Sequence, residues 1–430
     1  MNTSHRFVSS FCALLAYAAL TGPARAQAPA DTLDLDTCIR IALQRQPSLR
    51  SAEASYDAAR ARAGQALSGA LPRLSADADV SRSGAGVAGG GESGATSYSS
   101  GFSLRQRVFD LGVTTGSIRA ARSNANAAEE NARAARLDVS QTVAETYFGL
   151  LKTRRLVEVA RAARDAQEAH FKQARAFFTV GTRPKYDVTK AEADLTSAEL
   201  DLIKARNDER LAAVALAHAL GFEEGTPPPI RDVQAEDIAE ADARASLDEA
   251  ERGRPDLRAA QQRLRAAGAQ ASSARGGLFP AVDGSLTYGW RSGDSWFSNT
   301  TRSWSVGLSA SMPVFDGLLT VRRAQEAKAS ERTSEADYAS LRLRAREDVE
   351  RAVINLNVAR ENLGVARKLL AQAEENFNVA EGRYRAGTGS IIEVTDAQSL
   401  LTRARTQDVQ ARYDLQIARS TWLRALGRDR

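Results

Sequence analysis

Cysteine and histidine are nearly missing from this 430-residue chain, which has two of the first and three of the second. Cys12 and His5 lie in a segment that reads as an export leader, so only Cys38, His170 and His218 remain beyond it. One thiol cannot form an intrachain disulfide, and two isolated histidines cannot furnish a zinc or copper cage, so neither metal nor cofactor is expected. The chain also lacks a G-x-S-x-G elbow, an H-E-x-x-H helix and a phosphate-binding glycine loop, which argues against a secreted hydrolase. Past the leader no run is apolar enough for a spanning helix. A dominant charge is missing too. The net charge of +5 falls to +3 once Arg6 and Arg25 of the leader are removed, too mild a bias for a nucleic-acid partner.

The leader itself, residues 1–26, has Arg6 at its start, an apolar core from Phe7 to Leu20 and an Ala24-Arg25-Ala26 cleavage pattern. A core of 14 residues is shorter than the roughly 20 that a spanning helix needs. No such core directly precedes Cys38, so lipid attachment there is not expected.

Proline is absent between Pro72 and Pro184 and again after Pro313. Since an interior proline costs a helix about 3 kcal/mol, these gaps are where long helices can exist. Residues 111–178 and 318–384 are rich in Ala, Arg, Glu, Gln and Leu, and each would span about 100 Å as helix. Glycine ends both runs, at Gly181 and Gly387, as a left-handed helix cap would. The chain then returns along 188–220 and 394–426. On the second return, Val394, Ala397, Leu401, Ala404, Asp408, Ala411, Leu415, Ala418, Trp422 and Ala425 make a heptad stripe with Asp408 its one polar member. Alanine at every second position calls for closely spaced, coiled-coil-like neighbours.

The chain states this pattern twice. Val108-Phe109-Asp110 returns as Val314-Phe315-Asp316, Gly181-Thr182 as Gly387-Thr388, and Val188-Thr189 as Val394-Thr395, each 206 residues later. Pro47-x-Leu49-Arg50 returns as Pro255-x-Leu257-Arg258 at 208. A tandem duplication is therefore expected: a first repeat over 27–221, a linker over 222–246 containing Pro227-Pro228-Pro229, and a second repeat over 247–430. Each repeat opens with a helix of its own, about 33 Å long in the first (Leu49 to Ala70), laid end to end with the return helix along the long one.

Between the first helix and the long one the periodicity changes to two. Leu74, Ala76, Ala78 and Val80, then Tyr98, Phe102, Leu104 and Val108, alternate with polar residues across a hairpin over 73–109. A second hairpin over 281–315 sets Val282, Leu286, Tyr288 and Trp290, then Trp304, Val306, Leu308, Ala310, Met312 and Val314, against serines and threonines. The same alternation fits a soluble hairpin packed on a core. Strands of about ten residues also fit a tilted membrane strand. Trp290, Trp296 and Trp304 gather in the second hairpin as an interfacial girdle would require. In lipid an open sheet edge is untenable, and four strands cannot close when the smallest barrels have eight. Several copies must then share one barrel, two giving eight strands and three giving twelve.

These elements, with Gly181-Thr182 before Asp187-Val188 and Gly387-Thr388 before Glu393-Val394, resemble the TolC-type outer membrane factor family over essentially the whole mature chain. The resemblance implies a mixed α and transmembrane β fold, with long periplasmic α-helical hairpins in an α-barrel and four strands per chain in a homotrimeric 12-stranded β-barrel of the outer membrane. It implies the exit duct of a tripartite efflux or type I secretion system of a Gram-negative bacterium. The partners would be a periplasmic adaptor (membrane fusion protein), an inner-membrane pump of RND, ABC or MFS type, and outer-membrane lipid. Carried over residue by residue, Tyr384 and Asp187 match positions that hold the constriction shut, and Glu393 and Asp396 match acids that ring the pore. Gly181, Thr182, Gly387 and Thr388 fall at the tips that meet the adaptor. One departure stands out: relatives have an arginine where this chain has Gly389, and Arg183 occupies the equivalent place in the first turn.

Glu393 and Asp396, three apart, share a helix face, and in three copies six carboxylates would converge on one axis and favour cations. The competing reading is an exported coiled-coil adaptor or scaffold in the periplasm, which would have no use for aromatic-flanked, two-faced hairpins.

Overall fold

A computed structural model describes residues 32–86, 92–223, 229–232, 240–293, 295–296 and 300–429. The leader over 1–26 and Pro227-Pro228 of the expected linker lie outside the described residues. The chain runs α1 (Leu35–Arg45), α2 (Pro47–Ser68), β1 (Arg73–Gly86), β2 (Glu92–Phe109), α3 (Val113–Thr179) and α4 (Lys185–Ala219), then α5 (Ala243–Gly253), α6 (Pro255–Gly276), β3 (Ala281–Ser292), β4 (Thr301–Ser311), α7 (Leu319–Arg385) and α8 (Ile391–Leu426). At 67 residues each, α3 and α7 are about 100 Å long.

Two differences from the sequence reading have local causes. The 11-residue helices α1 and α5 were not anticipated, and each stops one residue before an X-Pro bond, at Gln46-Pro47 and Arg254-Pro255. Proline pushes the residue before it out of the helical region, and both Gln46 (ψ 119) and Arg254 (ψ 120) are extended. The second hairpin also ends at Ser311 rather than running to 315, so Met312 and Val314 do not extend β4. Pro313 has no N–H to give to a ladder.

The repeated Val-Phe-Asp phrase proves to be a strand-to-helix corner. Asp110 accepts hydrogen bonds from the N–H groups of Gly112 (3.2 Å) and Thr114 (2.8 Å) and from the Thr114 hydroxyl. Asp316 does the same for Thr320. Each carboxylate thereby caps donors that a helix start leaves open.

Helix neighbours give a wall four elements wide. Along one half of the long helices the order is α2, α3, α6, α7, and along the other half it is α4, α3, α8, α7. At mid-height, where α3 carries Tyr147, α1 and the end of α4, through Leu216, close over Val143, Phe148 and Leu150. The Tyr147 hydroxyl donates to the carbonyls of Leu33 and Arg231 there, tying the Leu33–Ile230 bridge to the core. Cys38 is wholly buried in this belt, and burial pushes its thiol up to about 11, so it remains protonated at neutral pH. The return helices pack through their stripes. Seven of the ten positions on α8 are buried, and Asp408 among them is held by Arg412 at 3.0 Å.

The sheet order is β1-β2-β3-β4, antiparallel throughout, with one bulge between Arg107 and Phe109. Register aligns Leu74, Leu104, Leu286 and Val306 in one row across all four strands, and Ala76, Phe102, Tyr288 and Trp304 in another. Serine and threonine rows occupy the opposite face, where Ser75 meets Ser103 and Thr287 meets Ser305, both at 2.7 Å. Among the described residues no helix packs extensively on either face. Trp304 is 73% exposed, and Leu74, Phe102, Val306 and Leu308 are exposed with it. Leaving such side chains in water forgoes roughly 1.5–3 kcal/mol each. The soluble-core reading of the hairpins therefore fails, because no core lies beneath them. No helix among the described residues is long and apolar enough to cross a membrane.

Candidate functional site at the helix tips

The far ends of the two long hairpins are built alike. After α3, the Thr182 N–H donates to the Phe177 carbonyl and the Gly181 N–H to Phe178, both at 3.0 Å. After α7, Thr388 bonds Arg383 at 3.0 Å and Gly387 bonds Tyr384 at 3.1 Å. This double bonding needs a left-handed residue, which Gly181 (φ 76) and Gly387 (φ 75) supply. Thr182 and Thr388 also fold their hydroxyls back onto the same carbonyls, at 3.0 and 3.2 Å. The four tip residues are thus cap residues, and all four are exposed.

Arg183 and Tyr384, which belong to different hairpins, come together. The guanidinium sits 5.5 Å from the ring centroid, within cation–π range. Tyr384 is only 3% exposed, packs beside Ile391 and Val394, and meets the Phe177 ring edge to face at 6.2 Å. Its hydroxyl is buried without a hydrogen-bond partner. Burial raises the phenol above its ordinary range, with Arg183 opposing and Asp187 reinforcing the rise, so the ring stays neutral at neutral pH. Asp187, buried in the first turn of α4, is near enough for its charge to be felt but does not bond the Tyr384 hydroxyl. Negative charge is favourable at a helix N-terminus.

Glu393 and Asp396 are both exposed, flanking the buried Val394 and Ala397. Glu393 is not free. Arg383 reaches it at 3.2 Å across the turn, and the Ser390 hydroxyl accepts from the Glu393 N–H at 3.2 Å. The sequence reading missed Arg383, although it stands three from the end of one helix while Glu393 stands three from the start of the next, and a five-residue turn makes such positions neighbours. It also missed the apolar tip surface of Val180, Tyr186 and Ile392, all exposed. A Cβ at Gly389 would lie 3.1 Å from the Tyr384 nitrogen and 3.2 Å from Arg383 atoms, so a side chain there would need the turn to give by a few tenths of an ångström.

Comparison with known proteins gives a consistent picture. The model of the family described as outer membrane efflux protein matches residues 38–222 and again 246–428. The chain is 30% identical over 394 residues to Protein CyaE of Bordetella pertussis, covering 89% of this chain and 82% of that one. It is 25% identical over 408 residues to the outer membrane protein TolC of Escherichia coli, covering 89% and 79%. Among solved structures, a membrane protein from Pseudomonas aeruginosa superposes with a TM-score of 0.83 at 25% identity, covering 91% of this chain and 93% of that one.

Proposed function

The chain belongs to the outer membrane efflux protein family, and from that premise we propose that three copies close into one duct of twelve strands and a helical tunnel. It is an outer-membrane protein of a Gram-negative bacterium that extends into the periplasm. The finer reading is a passive exit for cargo delivered by an inner-membrane pump of RND, ABC or MFS type through a periplasmic adaptor, in efflux or type I secretion. The adaptor would dock on Gly181, Thr182, Gly387 and Thr388 and the apolar residues around them.

One observation carries the ring. Residues 206 apart occupy equivalent places on α3 and α7, yet their exposure differs where the second repeat covers α3 and no described element covers the matching face of α7. Leu137 is 7% exposed and Phe148 5%, while their counterparts Leu343 and Ile354 are 71% and 61% exposed. Another copy laid against α7 would bury them as α8, together with α1, buries their counterparts. β4 and β1 leave matching open edges on the same two sides. An interface of this head-to-tail kind closes as a ring when each step turns by a whole fraction of a circle, as three copies would.

In this ring Arg183 and Tyr384 latch the two tips of one chain together, with Asp187 beside them, and Glu393 and Asp396 line the entrance. The test is the mass of detergent-purified protein by light scattering. Wild type is expected as three copies, and Leu343→Lys with Ile354→Lys as folded single chains, since these substitutions touch only side chains exposed in one chain. A wild type that is monomeric, or a double variant that remains trimeric, rejects the ring. An adaptor that cross-links as well to cysteine placed at Ser334, far from the tips, as to cysteine at Thr182 or Thr388 rejects the docking assignment.

A further inference from the structure

Strand register sets two like charges face to face on the polar side of the sheet. Arg73 on β1 lies directly opposite Arg105 on β2, whose neighbour on β3 is Ser285 and beyond it Gly307 on β4. Directly opposed like charges destabilise an antiparallel pair. Among the described residues neither arginine pairs with a carboxylate, and Asp77, on the same face of β1, stands two rows above. The acid one row below, Asp283, is engaged by Arg107, whose Nε donates to it at 2.7 Å. Three guanidiniums against one carboxylate leave a charge of +2 per chain on these two rows. One row above stand only the hydroxyls of Ser75, Ser103, Thr287 and Ser305.

The position of this row is fixed by the alternation of the strands. Leu74, Phe102, Leu286, Trp304 and Val306 occupy the opposite face, which lipid must cover, so Arg73 and Arg105 look into the lumen. Arg73 is the first residue of β1, five residues after the end of α2, which puts the row where the barrel meets the helical tunnel.

The geometry points to an anion-binding girdle at this joint, made by Arg73 and Arg105 of each copy and taking phosphate or carboxylate groups carried by the cargo. It rests on the closed duct proposed above. Three copies bring six unpaired guanidiniums to one level of a narrow lumen, where a ring of arginine favours anions. Guanidinium forks match the paired oxygens of carboxylates and phosphates, and the hydroxyl row above adds neutral donors. The duct then carries opposite signs at its two ends, with carboxylates at the helix tips and guanidiniums at the mouth of the barrel.

Inorganic pyrophosphate is the probe, added on the barrel side of purified full-length protein in a planar lipid bilayer. Wild-type conductance is expected to be blocked in a voltage-dependent way. Arg73→Gln with Arg105→Gln should raise the half-blocking concentration about tenfold or more, as loss of charge-assisted hydrogen bonds would. Arg73→Lys with Arg105→Lys should retain most of the block. Arg105→Glu removes the like-charge repulsion, so it does not weaken the hairpin as a folding defect would, and it too should abolish the block. A conducting wild type that pyrophosphate leaves unblocked, or an equal block in wild type and Arg105→Glu, overturns the girdle and leaves the duct standing. A wild type that forms no conducting channel overturns the duct itself.

Discussion

Tyr384 allows the tip latch to be divided into its parts. Its ring meets Phe177 edge to face at 6.2 Å and lies under Arg183 at 5.5 Å, while its hydroxyl is buried with no partner. The edge-to-face pair contributes about 0.5–1.5 kcal/mol and the cation–π contact about 0.5–1 kcal/mol. Tyr384→Leu loses both, roughly 1–2.5 kcal/mol, which moves the ratio of shut to open tips about 5- to 70-fold toward open. Tyr384→Phe keeps both and removes a hydroxyl whose burial without a partner costs about 1–3 kcal/mol, so the shut state should gain. Arg183→Gln loses only the cation–π part, a shift of about 2- to 5-fold.

Single-channel conductance in planar bilayers and the sensitivity of cells to a bulky antibiotic read the same equilibrium. The expected order of opening is Tyr384→Leu, then Arg183→Gln, then wild type, with Tyr384→Phe shut most firmly. If Tyr384→Phe opens the channel as far as Tyr384→Leu, the hydroxyl holds the gate through a bond that forms only in the assembly, and the ring-based reasoning is refuted.

Arg383→Gln should increase the preference for cations by freeing Glu393, while Glu393→Gln with Asp396→Asn should abolish it; reversal potentials in a salt gradient check both, and an unchanged ratio in the double variant removes these acids from the pore. Burial lowers the affinity of His170 for a proton, against the attraction of Glu381 on α7 and with the repulsion of Arg385. Its stability contribution is therefore complete at high pH and is lost as pH falls below the ordinary value of 6.5, because the unfolded chain then binds the proton more readily. Melting at pH 7.5 and pH 5.5 should show a larger acid loss for wild type than for His170→Gln, and equal losses would contradict it. Gly181→Ala and Gly387→Ala meet no atom within 4 Å, so the left-handed backbone alone sets their cost, about 1–2 kcal/mol each, readable as faster hydrogen exchange at the ends of α3 and α7.

How much of this was legible beforehand follows from the range of each interaction. The long helices could be read from missing prolines, and the stripe on α8 from spacing, because both signals repeat over dozens of residues. Helices α1 and α5 could not. Eleven residues give three turns, too short a window for the periodic Leu35, Cys38, Ile39, Ala42 and Leu43 to stand out. Their best signal was the proline after each, which served only as part of the repeated Pro-x-Leu-Arg phrase. At the tips, the spacing of Gly181 and Gly387 told where the chain turns, but not that Tyr384 would be buried against the other hairpin. That contact joins residues about 200 apart and depends on how the two hairpins pack at their tips. Arg383 and Glu393 are ten apart, and the pairing was available to anyone who placed the cap of one helix against the start of the next.

The duplication bears on where such a ring would open. Within one chain the seam between tips carries Arg183 over Tyr384. Shifting each by 206 residues gives the seam that the proposed ring would have between copies, with Gly389 in place of Arg183 and Phe178 in place of Tyr384. Phe178 is exposed in the single chain, whereas Tyr384 is buried. In the proposed ring of three, latched seams within chains would alternate with seams between chains that have no arginine at that place. The weaker contacts separate first when the tips are pulled apart, so the pore would begin to widen between copies, and full opening would follow only when the latch within each chain gives way. An adaptor that bridges the Gly181 tip of one copy and the Gly387 tip of the next would then act on the seam with the least holding it shut.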